Sequence, residues 1–143
     1  MKNPLPWRIC LATYLVGLAA VGSWPTPVDK PIQGTLASLL NYLHHHGVPE
    51  WFSYSVIEVS ANVAMFVPLG ILAAMALPTR AWWHIAGIGL FVSTCMELGQ
   101  LFFITARFST VVDVVTNTLG TVIGIGAARL IAPRKAPGLA EAY

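Results

Sequence analysis

Charge is what this sequence has least of. Only 10% of its 143 residues are Asp, Glu, Lys or Arg, against about 25% in an ordinary soluble domain. A surface with so little charge does not face water over most of its area. The net charge of +2 is too small an excess to point to nucleic acid as a partner. Cysteine is almost as scarce. Cys10 and Cys95 each lie inside an apolar run, which excludes a disulfide framework, and no CxxC spacing offers a metal site. No internal repeat is evident, and no cofactor is expected. What is present in quantity is hydrocarbon: 56% of the residues are hydrophobic. A bilayer is the economical solvent for such a chain. The length gives room for one domain of a few spanning helices and for no separate soluble domain.

Four apolar runs cover 9–24, 56–77, 82–104 and 110–132. A helix needs about 20 residues to cross the hydrocarbon core, and the last three runs have that length. The first is short, yet Trp7 and Trp24 bracket it, about 26 Å apart at helical rise. That spacing suits aromatic anchors at the two interfaces. Trp51, Phe52 and Tyr54 before the second run, and Trp82 with Trp83 at the start of the third, read as belt residues too. The first run could instead be a cleaved signal, with Lys2 and Arg8 ahead of it and Ala20-Val21-Gly22 as the cleavage site. Trp24-Pro25 follows too closely for a good site, so the run is kept as a retained helix.

Orientation follows from the basic residues. With the N-terminus inside, the inner segments hold Lys2, Arg8, Arg80, Arg129, Arg134 and Lys135, and the outer ones hold Lys30 and Arg107. This distribution obeys the positive-inside rule. It predicts a multi-pass protein of the inner (plasma) membrane with both termini cytoplasmic. The connection from Pro25 to Ser55 then lies outside. Within it Ile32, Leu36, Leu39, Leu40 and Leu43 recur at helical spacing. Residues 31–46 are therefore expected to form an amphipathic helix, on the outer leaflet or capping the bundle. Pro31 suits its first turn and Gly47 its stop. His44, His45 and His46 do not suggest a metal, because consecutive helical residues point about 100° apart. Residues 133–143 read as a flexible cytoplasmic tail, and 1–132 as a single domain. The expected fold is an all-α membrane protein: a four-transmembrane-helix bundle with an amphipathic extracytoplasmic helix between the first and second spans.

The few polar residues in the runs share one depth. Counted at helical rise from the outer ends, Asn62, Glu97 and Asn117 fall about 9–11 Å deep, and Glu58, Gln100 and Asp113 about 4–6 Å, with Arg107 on the loop above. Glu58 with Asn62, and Asp113 with Asn117, are spaced i, i+4. Ser93, Glu97 and Gln100 are i, i+4, i+7. Each set makes one stripe, and a charged stripe facing lipid costs several kcal/mol per group. The three stripes are therefore expected to face each other. Low dielectric and mutual repulsion would keep a proton on at least one of the acids. Gly120 and Gly124 permit close helix contact, and Pro68 interrupts the second span.

The ordered set Asn62-x3-Phe66-x-Pro68-x-Gly70, Ser93-x3-Glu97-x2-Gln100-x6-Arg107 and Asp113-x3-Asn117-x2-Gly120-x3-Gly124 resembles the VanZ-like family of small integral membrane proteins. The resemblance spans Glu58 to Gly124. Where that family is often acid-rich after the arginine, residues 108–113 offer the one acid Asp113. The resemblance implies a place in the bacterial cell envelope and a link to low-level resistance to the glycopeptide teicoplanin. It implies no reaction. Membrane lipids are the expected partners. The polar groups are expected to form a pocket for the head of a lipid-linked or amphiphilic compound. Two alternatives stay open: a structural or assembly subunit in which the cluster only fixes packing, and an intramembrane lipid-modifying enzyme with Glu97 or Asp113 as general base.

Overall fold

Two prolines open the first helix. Pro4 stands at its N-cap and Pro6 in its first turn, and α1 runs over Leu5–Gly22. The first backbone N–H groups of a helix have no partner inside it, so proline costs nothing there. This is why α1 starts ahead of the apolar run, which begins at Ile9. The extra turn brings it to 18 residues, about 27 Å of rise, enough to cross. The structure is a computed structural model, and it describes residues 3–24, 30–103 and 110–131. The expected tail lies outside the described residues.

A 3-10 turn at Lys30–Ile32 leads into α2, Gln33–His45. Gly47, just past α2, has a φ of 96°, a conformation that glycine adopts at no steric cost. Then follow α3 (Tyr54–Ala76), α4 (Trp82–Phe103) and α5 (Val111–Ile131). Among the described residues every regular element is helical, and α1, α3, α4 and α5 are long and apolar enough to cross a membrane. The chain is a multi-pass bundle. All five tryptophans sit at or beside helix ends with exposed rings, where aromatic anchors belong.

The tightest contact is α3 against α5. A Cβ built on Gly120 would strike the Val63 carbonyl oxygen, one on Gly124 the Val67 carbonyl oxygen, and one on Gly70 the Thr121 carbonyl oxygen. Both helices advance by one turn between the first two contacts, so they run parallel and in step. Thr121 fills the space that Gly89 leaves on α4. The fully buried Phe66, Leu69, Ala73 and Ala76 make α3 the inner wall of the bundle.

α1 closes the bundle antiparallel to α3. Leu18 packs on Phe66 and Leu69. The Tyr14 hydroxyl donates to the Met65 carbonyl at 2.6 Å, next to the Ala64 carbonyl that Pro68, lacking an N–H, leaves without its helical donor. Arg8 Nε donates to the Ala76 carbonyl at 3.4 Å, fixing the start of α1 to the end of α3. Large apolar side chains such as Phe91, Phe103, Val111 and Leu130 point outward, as they should when lipid is the solvent.

The amphipathic stripe of α2 divides. Leu40 is buried and Leu36 and Leu43 are half-buried, while Ile32 is 57% and Leu39 50% exposed. Consecutive helical residues point about 100° apart, and here Leu40 turns to the bundle while Leu39 turns out. The helix therefore caps the bundle through α3 and offers a second apolar edge outward. His44 Nε2 meets the Phe52 carbonyl at 3.0 Å, which ties the end of α2 to the turn before α3.

Candidate functional site

The polar side chains read from the sequence gather at one end of the bundle. On α4 the inward stripe runs Ile85, Gly89, Ser93, Glu97, Gln100, all buried. It is apolar for two turns and polar for the next two. On α5 the matching stripe carries Asp113, Asn117, Gly120 and Gly124. α5 is the hinge of the cluster, because it bonds to both neighbours. Asn62 Nδ2 on α3 donates to Asp113 Oδ1 at 2.7 Å. Asn117 Nδ2 donates to Ser93 Oγ on α4 at 3.0 Å. The expected meeting of three helices is present in these two bonds.

Gln100 takes another direction. Its Nε2 donates to the Gly22 carbonyl of α1 at 3.2 Å. The cluster thus draws on four helices, where the sequence led us to expect three. Gly22 is at the end of α1, where backbone carbonyls lack helical donors. Having no side chain, it also lets Met96 lie close; a Cβ there would come within 2.8 Å of Met96 Cε.

Asp113 has a second role. Its Oδ2 accepts from Thr110 Oγ1 at 2.6 Å and from the Thr110 N–H at 3.2 Å. The Asp113 N–H donates back to Thr110 Oγ1 at 3.2 Å. This reciprocal pattern is a capping box. It fixes the start of α5 and aims the other carboxylate oxygen at Asn62. The signature T-x-x-D was present in the sequence, hidden because Thr110 headed an apolar run.

Glu58 departs from expectation. It continues the Asn62–Phe66 face of α3, yet its side chain is exposed. The fully buried part of α3 begins only at Phe66, two turns further on. Arg107 lies outside the described residues. Glu97 is 8% exposed, Gln100 8% and Asn117 2%. Asn117 Oδ1 is buried with no hydrogen-bond partner among the described residues. Leaving such an acceptor unmet costs about 1–3 kcal/mol. Thr121, also buried, turns its hydroxyl to the Asn117 carbonyl at 3.2 Å and so stays out of reach of that oxygen.

The histidines are used locally. His45 Nδ1 meets the Asn41 carbonyl and His46 Nδ1 the Tyr42 carbonyl, each at 2.8 Å, and His46 stacks on Tyr42. With His44 on Phe52, each ring serves a different carbonyl. Among the described residues no group of three His, Cys, Asp or Glu could hold a metal.

The model of the VanZ/LLP1 family matches residues 9–132. The chain belongs to the VanZ/LLP1 family. The match takes in three of the spanning helices whole, α1 from Ile9 onward, and every residue of the polar cluster. It also takes in α1 and α2, which lie ahead of the residues that carried the resemblance in the sequence. No curated protein and no solved structure matches the chain.

Proposed function

We propose that this VanZ/LLP1 protein holds the polar head of a lipid-linked or amphiphilic compound between α3, α4 and α5, in the outer leaflet of the bacterial inner membrane. The observation that carries this reading is Asn117 Oδ1, a buried acceptor that none of the described residues satisfies. A donor from a bound head group would complete it. On the same face of α4 as Ser93, Glu97 and Gln100 add buried polar groups. That is more polarity than helix packing requires, because interhelical hydrogen bonds in membranes contribute only about 0.6 kcal/mol on average. Arg107 supplies the countercharge for an anionic group. Through such a site the protein would alter surface lipids or the access of a lipid-anchored glycopeptide such as teicoplanin. The competing reading, a cluster that only fixes packing, is favoured by the bonds Asn62–Asp113 and Ser93–Asn117.

Substitution separates the two. Glu97→Gln keeps size and hydrogen-bonding capacity and removes the acid. We expect the variant to accumulate in the membrane like the wild type, while its lipid profile and teicoplanin sensitivity match those of a deletion strain. Arg107→Ala should do the same. Full activity in both would leave only the packing role.

The orientation has its own test. Both termini are proposed to be cytoplasmic and α2 external. Gly47 is a poor site for a probe, since its φ of 96° strains any other residue. Glu50, exposed in the same connection, serves instead. In a background with Cys10 and Cys95 replaced by serine, Glu50→Cys is expected to react with an impermeant maleimide on intact cells. Labelling only after lysis would reverse the topology.

A further inference from the structure

At the end of the bundle opposite the polar cluster, α3, α4 and α5 leave a cleft of about 160 Å³. A single water needs about 10–15 Å³ by a similar measure, so the cleft admits a group of many atoms. Its floor is apolar: Met75 and Leu77 from the end of α3, Ile85 from the start of α4, and Ile125 from the end of α5. Its rim carries Arg80, in the α3–α4 turn, and Arg129, in the last turn of α5.

Both arginine side chains are exposed, and neither is tied by an ion pair or a side-chain hydrogen bond among the described residues. The described acids cannot serve them. Glu50, Glu58, Glu97 and Asp113 all belong to the other end. Arg8, the third described arginine at this end, is committed to the Ala76 carbonyl. Two guanidinium forks therefore stand over one apolar floor, each shaped for bidentate contact with phosphate oxygens. Free phosphate would use the rim alone, and a neutral lipid would use the floor alone. A diacyl lipid with an anionic head uses both, and anionic lipid surfaces draw in basic residues next to spanning helices.

We propose that this cleft seats one anionic phospholipid, its phosphate between Arg80 and Arg129 and an acyl chain against Met75, Ile85 and Ile125. The site is independent of the polar cluster and would exist whatever that cluster binds.

The test uses the purified full-length protein in detergent, with phosphatidylglycerol, phosphatidylcholine or inorganic phosphate added, read by native mass spectrometry and by thermal melting. The wild type is expected to retain phosphatidylglycerol in preference to phosphatidylcholine and to be stabilised by it, with no effect from inorganic phosphate. Arg80→Ala and Arg129→Ala should each weaken retention about tenfold, the loss of one charge-assisted contact. The double lysine variant should recover part of it, as a point charge without the fork. Arg134→Ala with Lys135→Ala removes the same charge from the chain's end and should leave the preference intact. The proposal fails if the double alanine variant keeps the wild-type preference, or if the Arg134/Lys135 variant loses it equally. Equal stabilisation by inorganic phosphate would also overturn it, by assigning the seat to a free anion. Should the double alanine variant not fold, the single and lysine variants carry the comparison.

Discussion

Gly124→Leu is expected to remove the folded protein from the membrane. The position has no room for even one carbon. A Cβ on Gly124 would overlap the Val67 carbonyl oxygen and lie 2.9 Å from the Ile71 nitrogen and 3.0 Å from Gly70 Cα. All three atoms are backbone, so no side chain can turn aside. α3 and α5 must separate, and the contacts of Gly120 on Val63 and of Thr121 on Gly70 are lost. Overpacking a well-filled core costs about 1–3 kcal/mol per site. Here the displaced element is a whole helix, so leucine should exceed that range and alanine should fall within it. Two residues on, Gly126 has nothing within 4 Å of a Cβ. Gly126→Ala should be neutral or stabilising, by up to about 1 kcal/mol from helix propensity. Thermal melting of the three purified variants, with their membrane yields, makes the comparison. Equal behaviour of Gly124→Ala and Gly126→Ala would show that α3 and α5 do not meet as described.

The contrast between these glycines marks how far the sequence can be read. The spacing of Gly120 and Gly124 announced a close helix contact, but it did not name α3 as the partner, because i, i+4 spacing fixes a face and not what lies against it. The four spans were legible for a stronger reason: a charge-poor run of sufficient length has few other places to go. That polar groups would meet across helices was legible too, but not their level: Asn62 meets Asp113, read as nearer the helix ends, and Asn117 meets Ser93 rather than Glu97. Glu58 was not. Its place on the Asn62–Phe66 face predicts burial, and spacing along one helix does not show whether a neighbour covers that part of the face. Gly22 left no trace at all, because what it offers Gln100 is a backbone carbonyl, which every residue has. The split stripe of α2 was beyond reach for a similar reason. Lipid and protein are both apolar, so hydrophobicity alone does not tell Leu39 from Leu40.

Asn117→Leu is expected to cost the protein its activity while leaving it at least as stable as before. Leucine has the branched outline of asparagine without its polar atoms. The substitution gives up the bond to Ser93 Oγ, 3.0 Å long, and such bonds in membranes average about 0.6 kcal/mol. It also removes the buried, unpartnered Oδ1, whose desolvation costs about 1–3 kcal/mol. The freed Ser93 hydroxyl can turn back to a carbonyl of its own helix, as Thr94 does to Leu90 at 2.8 Å. On the same figures the balance is favourable by about 0.4–2.4 kcal/mol, of which the larger volume of leucine takes back a part. If packing were the whole purpose of Asn117, leucine would then be an acceptable residue here, and the strain carrying it would keep wild-type lipids and teicoplanin sensitivity. If Oδ1 receives a donor from a bound head group, that strain should resemble the deletion although the protein accumulates normally and melts no lower. A lower melting temperature together with lost activity would instead mean that the orphaned oxygen has a partner within the fold, and the case for a binding pocket would lose its main support.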